Sequence, residues 1–245
     1  MEQAGGEWRK GRRLPSRRNT WRASGLLMRS LVDRSGRTHF ELSPLGSPRH
    51  LFRTTMESTN TRPRIETNRL ILRVPALDDL DRWAEMMADE NAARFIGGVA
   101  PKTIVWRMIM QMVGAWELTG ISMFSIIEKA SGKWVGRAGP WQPFGWPGTE
   151  VGWGLHPDAW GKGYALEAAV ASLDYAFDVL GWSRVIHLVN PLNVRSRRVA
   201  ERLGATLCGE ARMPPPIDQE LVDVWGQTRD EWRAKRPWLS RPREA

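Results

Sequence analysis

The stretch Thr149 to Ala169, TEVGWGLHPDAWGKGYALEAA, joins a strand pattern to a helix pattern through a glycine-lysine-glycine turn, and its reading decides the fold. In its first third the side chains separate with the two-residue period of a strand: Val151, Trp153 and Leu155 share one face, and Glu150, Gly152 and Gly154 the other. An acid followed by two bare glycines leaves a groove against the backbone, suited to another chain segment or to an extended ligand. Gly161 and Gly163 then permit close backbone approach and Lys162 adds a charge. The helix start behind them supplies amide N–H groups and a positive dipole end, which is what a phosphate cradle requires. The turn is not a Walker A loop, because His156 stands five before Gly161 and no Ser or Thr follows Lys162. Nor is it GxGxxG, since Leu166 stands three after Gly163, so nucleoside triphosphates and dinucleotides are poor ligands for it.

Outward from this stretch, strand and helix signals alternate at short spacing. Arg69 to Val74 reads as a half-buried strand stopped by Pro75, and Asp78 and Asp79 precede a helix carrying Leu80, Trp83, Met86 and Met87. Lys102 to Leu118 is a second helix closed by Gly120; Met123 to Ile127 and Lys133 to Arg137 form a hairpin about Ser131-Gly132. After the turn, Lys162 to Leu180 reads as a helix with Gly181 as a left-handed cap. A buried-type strand, Arg184 to Val189, a helix begun at Asn190-Pro-Leu-Asn193 and two late strands, Thr206 to Glu210 and Leu221 to Gln227, complete the order. A helical crossover between Thr149–Leu155 and Arg184–Val189 makes these two strands parallel neighbours.

The combination of groove strand, GxG turn at a helix start and a buried strand followed by Pro191-Leu-Asn-Val-Arg-Ser196 resembles the GCN5-related N-acetyltransferases (GNAT), above all their ribosomal-protein-N-acetyltransferase-like (RimJ/RimL-type) branch. The branch's W-G-x-G-Y-A-x-E-A reads here as Trp160 to Ala168, and its A-E-R-L-G-A as Ala200 to Ala205. The likeness spans roughly Ile65 to Trp232, including Arg94 to Gly98 and Val224 to Trp232. It implies an α/β fold: one domain with a central, mixed, mostly antiparallel sheet, helices on its flanks, and a parallel pair splayed around an acyl-CoA site. It also implies acetyl-CoA as co-substrate, with contacts from Trp153, Gly154, Leu155, Trp160, Gly161, Lys162, Gly163, Tyr164, Ala165, Asn193 and Ser196. Asp158 departs from the family's usual Gln or Arg, placing a negative charge near the expected pyrophosphate.

Acetyl transfer to an amine needs a neutral amine, a polarised thioester carbonyl and a proton for the departing thiolate. Glu150, on the glycine face, is the candidate base; an ion-pair role is the competing reading. The resemblance makes Ser196 the proton donor, while Asn193 and Ser196 also suit plain helix capping. No nucleophile and base pair is apparent, so direct attack in a ternary complex is expected. The aromatic loop Gly139 to Gly148 offers Trp141, Phe144 and Trp146 as acceptor contacts, with Arg94 as an opposite wall, although tryptophans more often cover a core. A noncatalytic acyl-CoA-binding or sensing module on the same fold is the alternative.

Composition narrows the rest. With 42% hydrophobic residues the 245-residue chain can bury one sizeable core, a single cysteine excludes an internal disulfide, and four scattered histidines give no metal spacing. No metal is expected. The net charge of +9 divides unevenly: residues 1–55 hold twelve Lys and Arg against four acids, the remainder 24 against 23. The near-neutral remainder argues against a nucleic-acid partner, and no apolar run is long enough for a membrane span. Residues 1–64 are read as a basic, disordered extension, 65–232 as the acetyltransferase domain and 233–245 as a polar tail. The extension suits a surface-binding tail, a targeting segment, which Glu2 and Glu7 disfavour, or a translated upstream region preceding Met56, the reading preferred here. A cytoplasmic monomer or homodimer with an amine acceptor is the resulting expectation.

Overall fold

The structure is a computed structural model that describes residues 62–215, 217 and 221–239, and the backbone of three strands nearer the amino terminus. The chain divides into two compact units, Met1–Ser58 and Thr59–Ala245. In the first, β1 (Thr20–Ala23), β2 (Leu26–Val32) and β3 (Thr38–Pro44) pair antiparallel in sequential order. The disorder expected over residues 1–64 therefore does not extend to these strands. Runs such as Leu26-Leu-Met28 and the alternation of Phe40 and Leu42 supply a strand signal that the arginine-rich average obscured. Met56 and the rest of the extension as far as residue 61 lie outside the described residues, as do 240–245.

The second unit is built on an eight-stranded sheet. Its strands are β4 (Arg64–Glu66), β5 (Leu70–Arg73), β6 (Phe124–Glu128), β7 (Trp134–Trp141), β8 (Glu150–Leu155), β9 (Arg184–Val189), β10 (Thr206–Arg212) and β11 (Leu221–Thr228). They lie in the order β10-β11-β9-β8-β7-β6-β5-β4, antiparallel throughout except for β8 and β9. The helices are α1 (Leu80–Ala88), α2 (Glu90–Ala93), α3 (Lys102–Thr119), α4 (Tyr164–Asp174), α5 (Val194–Leu203) and α6 (Arg229–Leu239).

Strand alternation decides which helix covers which face. Leu70, Leu72, Phe124 and Ile126 point to α4, meeting Tyr164, Ala168 and Ala171. Ile71, Ile127 and Trp134 point the other way, against Trp83, Met86 and Met87 of α1 and Val105 and Ile109 of α3. Leu70 and Leu72 are fully buried, so truncating either to Ala costs about 2–5 kcal/mol. Asp79, expected to serve the α1 dipole, has a further task. Its carboxylate takes two hydrogen bonds from Arg73, at 2.9 and 2.6 Å, one from Ser125 Oγ at 2.7 Å and one from the Ala76 amide at 2.9 Å, which ties the entry of α1 to β5 and β6.

Two helix ends differ from the sequence reading. The helix expected from Lys162 starts at Tyr164, because Gly163 takes the left-handed N-cap position with φ +78°. Its last part, Tyr175–Val179, widens into a π turn in which the Leu180 amide bonds the Tyr175 carbonyl at 3.0 Å before Gly181 turns left-handed. Residues 233–239, assigned to the polar tail, continue α6: Trp232 is buried and donates to Asp174 at 2.9 Å, and Arg236 pairs with the same carboxylate at 2.9 Å.

Candidate functional site

The site begins where the parallel pair comes apart. β8 and β9 share a single register position, Glu150 opposite Ile186, with the Ile186 amide on the Thr149 carbonyl at 2.9 Å. Beyond it side chains replace the ladder. The Leu188 amide donates to Glu150 Oε1 at 3.3 Å, and His187 Nδ1 lies 2.6 Å from the Val151 carbonyl. The Val151 carbonyl thus faces the gap, and by strand alternation so do the amide and carbonyl of Trp153, which meet no partner strand. Between the end of β8 and the start of α5 runs a cleft of about 510 Å³, bordered by Trp153, Gly154, Leu155, Trp160, Ala165, Asn193 and Ser196.

At the far end of the cleft stands the GKG turn. Gly161 and Gly163 are both left-handed, at φ +75° and +78°, and the glycine N-cap leaves the first amides of α4 without a side-chain cap. A helix start with open amides suits an anion. The turn is fixed from behind by Arg69, whose Nη1 donates to the Lys162 carbonyl at 2.9 Å while its Nε and Nη2 hold Glu167 at 2.7 and 2.6 Å. Tyr164 donates its hydroxyl to Glu128 at 2.6 Å, and Lys162 Nζ lies 3.8 Å from the same carboxylate, so both side chains lean toward β6 and only their amides are offered. Gly161, Lys162 and Gly163 border a neighbouring groove of about 1080 Å³ along α4, β4 with the turn after it, and α6, while Trp160 and Ala165 on either side border the cleft, which makes the turn a rim between the two. Asp158 faces away from the rim: Arg82 bonds it at 2.5 Å and His156 at 2.8 Å. Burial disfavours its charge, yet Arg82 and His156 hold its carboxyl below the ordinary value.

At the other end the cleft shares Phe95, Ile96, Trp153 and Ser196 with a smaller cavity of about 180 Å³ that contains Glu150. Glu150 is 6% exposed. Desolvation pushes its carboxyl up to about 7, against the downward pull of the Trp146 and Leu188 hydrogen bonds and the Arg137 charge. Trp146 Nε1 donates to Oε2 at 2.6 Å and stands edge-on to Trp141, their centroids 6.3 Å apart, so the aromatic loop aims the carboxylate. His187 also lines this cavity. A carbonyl only accepts, so Nδ1 carries the hydrogen; Nε2 is then a buried acceptor without a partner among the described residues, and desolvation lowers the imidazole to about 4, leaving it neutral at ordinary pH.

Of the residues singled out in the sequence, Trp153, Gly154, Leu155, Trp160, Ala165, Asn193 and Ser196 border the cleft and Trp141, Trp146 and Glu150 the smaller cavity; Gly161, Lys162 and Gly163 border the neighbouring groove, Tyr164 turns its hydroxyl to Glu128, and Phe144 and Arg94 depart from their expected places. Phe144 is fully exposed: the Trp146 amide bonds the Pro143 carbonyl at 3.1 Å, Gly145 turns left-handed, and the loop tip carries Phe144 into solvent. Arg94 borders the cleft instead of the Glu150 cavity and covers the Phe95 ring at 5.0 Å; Phe95, Ile96 and Gly97 line that cavity in its place. Asn193 caps α5 through the Ser196 amide at 3.1 Å. Arg195 lies over the Trp160 ring at 4.3 Å, linking the two sides of the cleft. Arg137 and His187 were not anticipated. Each is isolated in sequence, and only the strand register brings it to the cavity.

A family model described as an acetyltransferase (GNAT) domain matches residues 69–206. The uncharacterized N-acetyltransferase p20 of Bacillus licheniformis is 31% identical over 163 residues, 65% of this chain and 91% of that protein. An FsC-acetyl coenzyme A-N(2)-transacetylase of Aspergillus fumigatus is 36% identical over 100 residues, 39% of this chain and 43% of that one. Among solved structures, an acetyltransferase from Agrobacterium tumefaciens superposes with a TM-score of 0.59 at 30% identity, covering 68% of this chain and 95% of its own. The ribosomal-protein-S5-alanine acetyltransferase of Vibrio fischeri, with a TM-score of 0.56 at 20% identity over 69% of this chain and 98% of its own, shares the fold.

Proposed function

Because the chain belongs to the GNAT family of acetyl-CoA-dependent acetyltransferases, we propose that it acetylates a primary amine, at a protein N-terminus or on a small molecule, by direct attack in a ternary complex within the RimJ/RimL-type branch. The observation that carries this reading is the junction of the 510 Å³ cleft with the Glu150 cavity through Phe95, Ile96, Trp153 and Ser196. The residues fit the coenzyme: open amides at the start of α4 suit its pyrophosphate, and the unpaired edge of Trp153 suits the amides of its pantetheine arm. Bound there, the coenzyme supplies an activated acetyl thioester.

Glu150, ionised above about pH 7, removes a proton from the acceptor ammonium, directly or through a water. The neutral nitrogen forms its bond to the acetyl carbon as the carbon–sulfur bond breaks. Ser196, at the junction of the two spaces, gives its hydroxyl proton to sulfur, balanced by the proton that nitrogen loses on acylation. Asn193 Oδ1 is committed to the α5 cap, so its amide nitrogen is the group left for the pantetheine. His187 Nε2 accepts from the acceptor nitrogen and keeps its lone pair turned to the thioester.

Incubation with labelled acetyl-CoA and a mixed pool of primary amines tests this. Label in an amide product, with initial rates intersecting in double-reciprocal plots, is expected. Tight coenzyme binding with transfer to no amine would overturn the proposal in favour of acyl-CoA sensing, and parallel plots would replace direct attack by an acyl-enzyme.

A further inference from the structure

We propose that the acceptor is a small, apolar α-amino acid whose carboxylate is held by Arg137. The inference rests on the acetyl transfer proposed above and adds the acceptor's chemistry. Arg137 lies on β7 opposite Gly154, on the face that Glu150 and Gly152 share, and borders the Glu150 cavity. Among the described residues its Nη1 reaches only Met123 Sδ, at 3.1 Å, a weak acceptor, and its buried Nε has no partner; the guanidinium stands 5.8 Å from the Trp83 ring centre. Among the described residues no carboxylate pairs with it. Glu150 is the one charged group acting on it, and the Glu150 oxygens already accept from Trp146 and Leu188. A guanidinium desolvated without a counter-ion is costly, and a planar carboxylate arriving with a ligand offsets that cost through paired hydrogen bonds.

The rest of the cavity matches the remainder of an amino acid. Glu150 and the bare His187 Nε2 are acceptors for its amine. Gly152 keeps the floor open, since a Cβ there would fall 2.7 Å from Met123 Cε and 3.2 Å from Glu150 Oε1. Trp141, Phe95 and Met213 supply apolar walls. A volume of about 180 Å³ is below the roughly 300–1,000 Å³ of sites for larger ligands, and suits one residue. A polypeptide N-terminus would present Arg137 with an uncharged peptide carbonyl instead.

The test compares L-methionine, L-leucine and L-phenylalanine with their carboxamides as acceptors. Intrinsic reactivity favours the carboxamides, whose amines are less basic, so a preference for the acids reports recognition. The acids are expected to exceed the carboxamides in kcat/KM by about tenfold or more. Arg137→Met is expected to lower the acids about a hundredfold and the carboxamides less than about threefold; Arg137→Lys, which keeps the charge, is expected to fall between. Acetyl-CoA affinity serves as the folding control for both variants, and the wild-type comparison needs neither. Carboxamides accepted as well as acids by the wild type, or Arg137→Met lowering both series alike with acetyl-CoA binding intact, would overturn the inference while leaving amine acetylation standing. Transfer to neither series, nor to any other amine, would remove the acetylation proposal together with this one.

Discussion

The two halves of the site are made of different material. The half proposed for the coenzyme is backbone: open amides at the start of α4, two left-handed glycines and the unpaired edge of β8. The acceptor half is side chain: Glu150, His187, Arg137 and Trp146, brought from three strands and a loop. Backbone groups keep their chemistry whatever neighbours change, so the first half is suited to a ligand shared by a whole family. Side chains converging from distant positions can be exchanged one at a time, which suits an acceptor that differs between relatives.

The sharpest way to break this division is Glu150→Gln. It should lower kcat by a factor on the order of 10²–10⁴ while leaving acetyl-CoA affinity in place. Wild-type kcat/KM should fall as pH drops through about 7, where Glu150 takes up its proton, and the variant should lack that limb. Stability should move in the opposite sense. The folded carboxyl sits at about 7, above the ordinary 4.5, so the wild type loses stability as pH rises through about 7 and the charge is buried. Glu150→Gln is therefore expected to be the more stable protein at pH 8, by on the order of 3 kcal/mol in denaturant titration, and no more stable at pH 4.

On the coenzyme half, Gly163→Ala places a Cβ at φ +78°, a conformation costing a side chain about 1–2 kcal/mol. About a tenfold rise in the acetyl-CoA KM is expected, with kcat at saturation and the pH limb unchanged; a matching loss in acceptor kcat/KM at saturating coenzyme would mean that the halves are not separable. Trp146→Phe removes the donor at 2.6 Å from Glu150 and nothing from the coenzyme half, so the limb should move upward by about one pH unit. Phe144→Ala is the smallest: with Phe144 in solvent, kcat/KM should stay within about twofold for any acceptor.

How much could be read in advance follows the same division. The turn, the groove strand and the Asn193–Ser196 helix start are local, contiguous patterns, and the strand's two faces and the turn's left-handed glycines follow from periodicity and sterics alone. Trp146 and Phe144 are indistinguishable as letters two positions apart; one hydrogen bond from Trp146 and the turn at Gly145 send them to opposite environments. Arg137 looked like a polar residue on a hairpin, since the cavity it borders exists only once β7 and β8 are in register. Asp158, a negative charge beside the proposed phosphate turn, has a partner that the local motif does not reveal, Arg82 on α1, 76 positions earlier. The α6 segment read as tail, because a polar helix with one buried tryptophan has little apolar pattern to betray it.

The Arg69 clasp carries a consequence for how the protein acquires its activity. The turn proposed to bind the anion is local in sequence, yet its rear support comes from Arg69, 93 positions before Lys162 and next to β5. Helix α4 can form early on its own contacts, but a turn able to grip a diphosphate must await docking of the first core strand against it. In refolding, acetyl-CoA affinity is then expected to return with the slowest, global phase and to lag behind helical signal. Nascent chains that have made the whole motif but not yet seated β5 would be helical and unable to bind.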